Sequence, residues 1–147
     1  MDTCLPARLH IVAWPDPVID HLGFAPQSPY SEFCWLPRLG PASTLAYRRL
    51  AGTLSHRPDG FEIDVVEFAR SLGLGTGTGA HAPVSRTLRR LVGFDLAVFV
   101  DQATYALRRR IPPLAARHLS RLSPDLQRIH AALLAAHRPE RDPARAS

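Results

Sequence analysis

Proline sets the strongest limit on this chain. Pro6, Pro15, Pro17, Pro26, Pro29 and Pro37 fall within the first forty residues. Each fixes φ and lacks an amide hydrogen, so only short elements fit between them. RLHIVAW (8–14) reads as a short strand and PVIDHLG (17–23) as a helical turn or two. SPYSEFCWLPRLG reads as a short helix with Ser28 as its cap and Pro29 at its first position. Residues 1–40 are therefore expected to be a packing segment beside a domain that begins later.

From Gly40 the periodicity sharpens. Ala46, Tyr47, Leu50, Ala51 and Leu54 recur at helical spacing behind Pro41 and predict a helix over about 41–54. HRPDG (56–60) is a turn, and FEID (61–64) alternates like a very short strand. Asp64 then precedes Val65, Phe68, Ala69 and Leu72, with Glu67 in the position of a capping-box partner, so a helix is predicted over 65–72 and Gly73 ends it. A third helix is predicted over 83–94, with Val84, Leu88, Leu91 and Val92 on one face. LAVFV (96–100), the tip DQAT and YALRRRI (105–111) predict a β-hairpin ended by Pro112 and Pro113. Two more helices are predicted within 112–137, the second with Leu126, Ile129, Leu133 and Leu134 in a stripe. Residues 138–147 hold no large apolar side chain and are expected to form a disordered tail.

The chain has 147 residues, enough for one domain with its own core. It holds no apolar run of membrane-spanning length, and its N-terminus lacks the basic-then-apolar order of a signal peptide, so a cytoplasmic protein is expected. All 18 basic residues are arginine. Beside so much alanine this reflects GC-rich coding, and the preference alone carries no function. Its distribution carries more. Residues 81–122 hold eight arginines against two acids, whereas residues 1–80 hold six against eight. One third of the chain thus has the charge of a surface that meets a polyanion.

Other chemistries find little support. Cys4 and Cys34 form no CxxC pair, which points away from a zinc site or a disulfide framework. His130 and His137 lie two helical turns apart, too far for joint ligation without further donors. No local nucleophile, base and orienting acid can be assembled, so neither an enzyme nor a cofactor or metal is expected. Trp14, Trp35, Tyr30 and Phe33 lie outside the basic segment and are expected in the core. The glycine-rich run Gly73–Gly79 follows a predicted helix, not a strand, and lacks GK[ST], so it fits neither a dinucleotide fingerprint nor a phosphate loop. It is expected to be a flexible connection that orders on DNA, with His81 near a phosphate.

The order helix, short strand, helix, loop, helix, hairpin across residues 41–111 resembles the winged helix-turn-helix domain of bacterial transcription regulators. The pattern FARSLGLG…SRTLRRLVGFDLAVFV…YALRRRI also resembles uncharacterised actinobacterial winged-helix proteins. The resemblance implies a mainly α fold with a small β-hairpin (α+β), in which helix 83–94 reads the major groove and the wing 96–111 touches the backbone. The nine residues from Leu74 to Ala82 exceed the three- or four-residue turn of a strict helix-turn-helix. On the helix, Arg86 points away from the apolar stripe, flanked by Arg89 and Arg90, and Ser85 lies near the helix start where a hydroxyl meets a phosphate. On the wing strand, alternation puts Arg108 and Arg110 outward and Arg109 on the apolar side. Double-stranded DNA is the expected partner, read by a homodimer joined through the C-terminal stripe. A protein-interaction adaptor, or a replication or partition factor, would share the same fold.

Overall fold

The computed structural model describes residues 4–138. Within them the chain is mixed α/β, with seven α-helices and a four-stranded sheet. β1 (Arg8–Ala13) leads into α1 (Pro17–Leu22), then a π-helical turn (Ser31–Trp35) that continues into α2 (Leu36–Leu39), and then α3 (Pro41–His56). β2 (Phe61–Asp64), α4 (Val65–Ser71) and α5 (Pro83–Gly93) follow. The hairpin β3 (Ala97–Asp101) and β4 (Thr104–Leu107) precedes α6 (Ala116–Leu119) and α7 (Pro124–Ala136). Apart from Arg138, the expected tail lies outside the described residues.

The strand order is β2-β1-β4-β3. β1 runs antiparallel to β2, with Leu9 opposite Ile63, and parallel to β4, with Ile11 opposite Tyr105. Residues 1–40 are thus more than packing, which corrects the reading from proline spacing: their one strand lies inside the sheet. The gap between Pro6 and Pro15 leaves room for it, and Leu9 and Ile11 alternate into the core, both fully buried. One core unites all three stretches of the chain, from Leu9 and Tyr30 through Leu50, Phe68, Leu88 and Tyr105 to Leu122.

Capping follows the local chemistry. Asp64 accepts the Glu67 amide at 3.0 Å and starts α4. α4 stops in a Schellman turn: Gly73 sits at φ 72°, and the Leu74 amide reaches back to the Ala69 carbonyl at 2.9 Å. α5 ends the same way, except that Asp95 takes the left-handed position at φ 60° while the Leu96 amide bonds the Leu91 carbonyl at 3.0 Å.

α7 folds back onto the N-terminal half. Leu126 and Leu133 pack on the chain's own core, and His130 is buried with its Nδ1 2.9 Å from the Tyr30 hydroxyl. That hydroxyl also accepts the Leu114 amide at 2.8 Å, and burial pushes its pKa up to about 12. Much of the stripe read as a dimer surface is therefore engaged within one chain, while Leu134 stays exposed. Among the described residues, no helix is long and apolar enough to cross a membrane.

Candidate nucleic-acid interface

α5 carries the basic segment, and its inner side is fixed by two hydroxyls. Ser43 Oγ on α3 donates to the Thr87 carbonyl at 3.2 Å, and the buried Tyr105 hydroxyl on β4 donates to the Leu88 carbonyl at 2.8 Å. Val84, Leu88 and Leu91 are fully buried beneath these bonds. The outward direction of α5 is set accordingly, and Arg86 occupies it. Arg86 is exposed, and its side chain has no hydrogen-bond or ion-pair partner among the described residues.

The other expected contacts on this helix are placed differently. Ser85 is only 1% exposed and donates to the Gly79 carbonyl at 2.7 Å, so it is not a DNA-side hydroxyl. The glycine-rich connection folds back over the first turn of α5, and its carbonyls capture the hydroxyl. Arg89 is half-buried and donates to the Ala80 carbonyl of the same connection. Leu5 also donates its amide to Thr78 at 3.0 Å. The connection is thus anchored to α5 and to the N-terminal segment, with Gly73 and Gly75 as its only glycines at positive φ. Beside it, a cavity of about 640 Å³ opens between Leu5, Val92, Phe99 and Gln102.

Arg90 is exposed but engaged. Its Nε donates to the Leu39 carbonyl at 2.8 Å and its Nη2 to the Arg38 carbonyl at 2.7 Å, satisfying the free carbonyls at the end of α2. Its guanidinium also lies 5.4 Å from the Phe94 ring centroid.

The wing arginines are corrected. β4 stops at Leu107, so the in-and-out alternation does not extend to residues 108–110. The chain turns there and brings Ile111 into a bridge with Phe24, packed so closely that a Cβ on Gly23 would lie 2.9 Å from Arg110 Cβ and 3.1 Å from the Ile111 carbonyl oxygen. In this turn Arg109 is exposed, whereas Arg108 and Arg110 are half-buried. Arg108 pairs with Asp16 at 2.6 Å, donates to the Asp95 carbonyl at 2.6 Å, and lies 4.1 Å from the Trp14 ring centroid. Its hydrogen bond, with the Ile19 and Val18 amides adding to it, holds the Asp16 carboxyl below its ordinary value of 3.8. Arg110 donates to the Gly23 carbonyl at 3.3 Å. All three lie at the base of the hairpin, and its tip presents Asp101, Gln102 and Ala103.

A second basic group was not visible in the sequence. Phe94, at the end of α5, packs 4.9 Å from the His118 ring of α6, and Arg117 and Arg121 flank that histidine. Burial first, then the charges of Arg117, Arg38 and Arg121, lower the His118 pKa from 6.5. Arg117 and Arg121 stand four apart in the basic third of the chain, but no sequence pattern ties Arg38 to them. Among the described residues, no three His, Cys, Asp or Glu side chains gather as metal ligands. Compared with protein-family models, curated proteins and solved structures, the chain gives no match.

Proposed function

We propose that this chain is a cytoplasmic DNA-binding transcription regulator in which α5 enters the major groove. The observation that carries the reading is Arg86: a free guanidinium on the outward face of a helix whose inner face is locked by packing and two hydroxyl bonds. A rigid fork on a fixed helix suits two-point contact with a guanine edge. The order α3, β2, α4, α5, β3, β4 supports a winged helix-turn-helix arrangement. Two features modify it: β1 stands between β2 and β4, and the connection from α4 to α5 is longer than the usual turn. Arg90 and Arg89 flank Arg86 and would rotate toward phosphates from their present carbonyl partners. Arg109 takes over the backbone contact first assigned to Arg108 and Arg110.

Selection of bound fragments from random duplex DNA tests the reading. An enriched motif is expected, with Arg86→Ala costing on the order of 1 to 3 kcal/mol on that motif and much less on random duplex. If no motif emerges and Arg86→Ala leaves DNA binding unchanged, the outward face of α5 serves a protein partner instead.

A further inference from the structure

The end of α5 opens onto cations that form no ion pair among the described residues. Arg38 Nε is enclosed and has no hydrogen-bond partner among the described residues. Buried donors are nearly always paired, and a guanidinium offers five of them. Arg90 donates to the backbone carbonyl of Arg38 and lies over Phe94, and Phe94 in turn packs on His118, so these side chains share one surface. Arg117 and Arg121, both exposed, stand on either side of His118. The side chains of Arg38, Arg117 and Arg121 form no ion pair with a carboxylate among the described residues. Like charges gathered from two distant stretches of the chain repel one another and raise the local potential for an anion. The half-buried imidazole, held neutral at neutral pH, adds a donor that places no further charge in the site.

We propose that Arg38, Arg117, Arg121 and His118 form a binding site for a phosphate group, supplied either by a duplex backbone or by a free phosphate. Arginine forks match phosphate oxygens in pairs, as the exposed Arg117 and Arg121 can, and Arg38, whose Nε is enclosed, adds its charge to the site. The site does not depend on base reading by α5. A duplex lying along α5 would nevertheless reach it past Arg90, one helical turn beyond Arg86.

The test uses the full chain with two probes, inorganic phosphate and a short mixed-sequence duplex. Binding is followed by titration and by the NMR signals of the His118 ring. Arg38→Ala removes the enclosed donor, Arg117→Ala with Arg121→Ala removes two exposed side chains, and Arg128→Ala on α7 is the control. The double variant is expected to weaken duplex binding about tenfold or more and to lower the slope of log affinity against log salt by about two units, while the control changes neither. A response of His118 to inorganic phosphate, lost in both site variants while duplex affinity is unchanged, supports the site and assigns it to a free phosphate. If neither probe moves His118 and the double variant binds duplex like the parent, the proposal is overturned. Should Arg38→Ala fail to fold, the double variant decides alone. Absence of an enriched DNA motif would count against α5 as a reader and leave this result standing.

Discussion

Arg86 and Arg108 are the same side chain in the same basic third of the molecule, and the fold gives them opposite tasks. Arg86 projects from the middle of a helix into solvent. Arg108, only 14% exposed, is clasped by Asp16, Asp95 and Trp14. The difference arises from the backbone around each residue. A regular helix keeps every fourth residue facing one way, so the outward face of α5 can be computed from spacing. A strand that ends at Leu107, four residues short of the expected Ile111, loses its alternation, and the next arginine is free to turn inward. Charge density locates a basic region, then, but only backbone regularity tells which of its members are available to a partner.

Four experiments would break or sharpen that contrast. The largest effect is expected from Leu88→Ala, which opens a cavity in the fully buried face of α5 and should cost ~2 to 5 kcal/mol by thermal or denaturant melts. A small loss there would mean the two faces of α5 are wrongly assigned. Arg108→Ala should follow at about 1 to 3 kcal/mol, because it strands Asp16 and empties the place over Trp14. If Arg108→Ala instead lowers DNA affinity without touching stability, Arg108 belongs with Arg86.

The third experiment is a double-mutant cycle between Arg108→Ala and Asp16→Asn, with an expected coupling of about 0.5 to 3 kcal/mol. The Asp16 carboxyl titrates below 3.8 in the folded protein, so the coupling should be complete above that pH and fade as pH falls through the lowered value. A coupling that persists once the carboxylate is protonated would mean that packing, not charge, holds the pair. Smallest of all, Arg86→Ala should shift stability by no more than about 0.5 kcal/mol. A larger loss would expose a structural role for an arginine whose side chain has no partner among the described residues.

Most element types were legible in the sequence because their signals are local. The stripe of Val84, Leu88 and Leu91, the Asp64 cap and the Gly73 stop each specify backbone within one or two turns. The orientation of α5 followed from them. What stayed hidden depends on contacts between distant residues. Nothing in RLHIVA says which strands it will join, and the burial of Ser85 depends on a glycine-rich connection folding back over the helix start. The outward turn of Arg109 depends on Ile111 bridging to Phe24. The Arg38, Arg117 and Arg121 group joins α2 to α6 and the turn that follows it, and the contacts of Arg90 with the Arg38 carbonyl and of Phe94 with His118 connect them.

The position of β1 also bears on how the chain comes to be folded. His10 pairs with Thr104, so the middle of the sheet joins one of the earliest segments to one of the latest. Closing so long a loop delays the reward of its contacts and slows folding relative to a helical bundle of this size. On the ribosome, Leu9 and Ile11 must wait with one flank unpaired until β4 has emerged. A chain cut before Thr104 would present that strand edge to its neighbours, and aggregation of truncated products is the expected result.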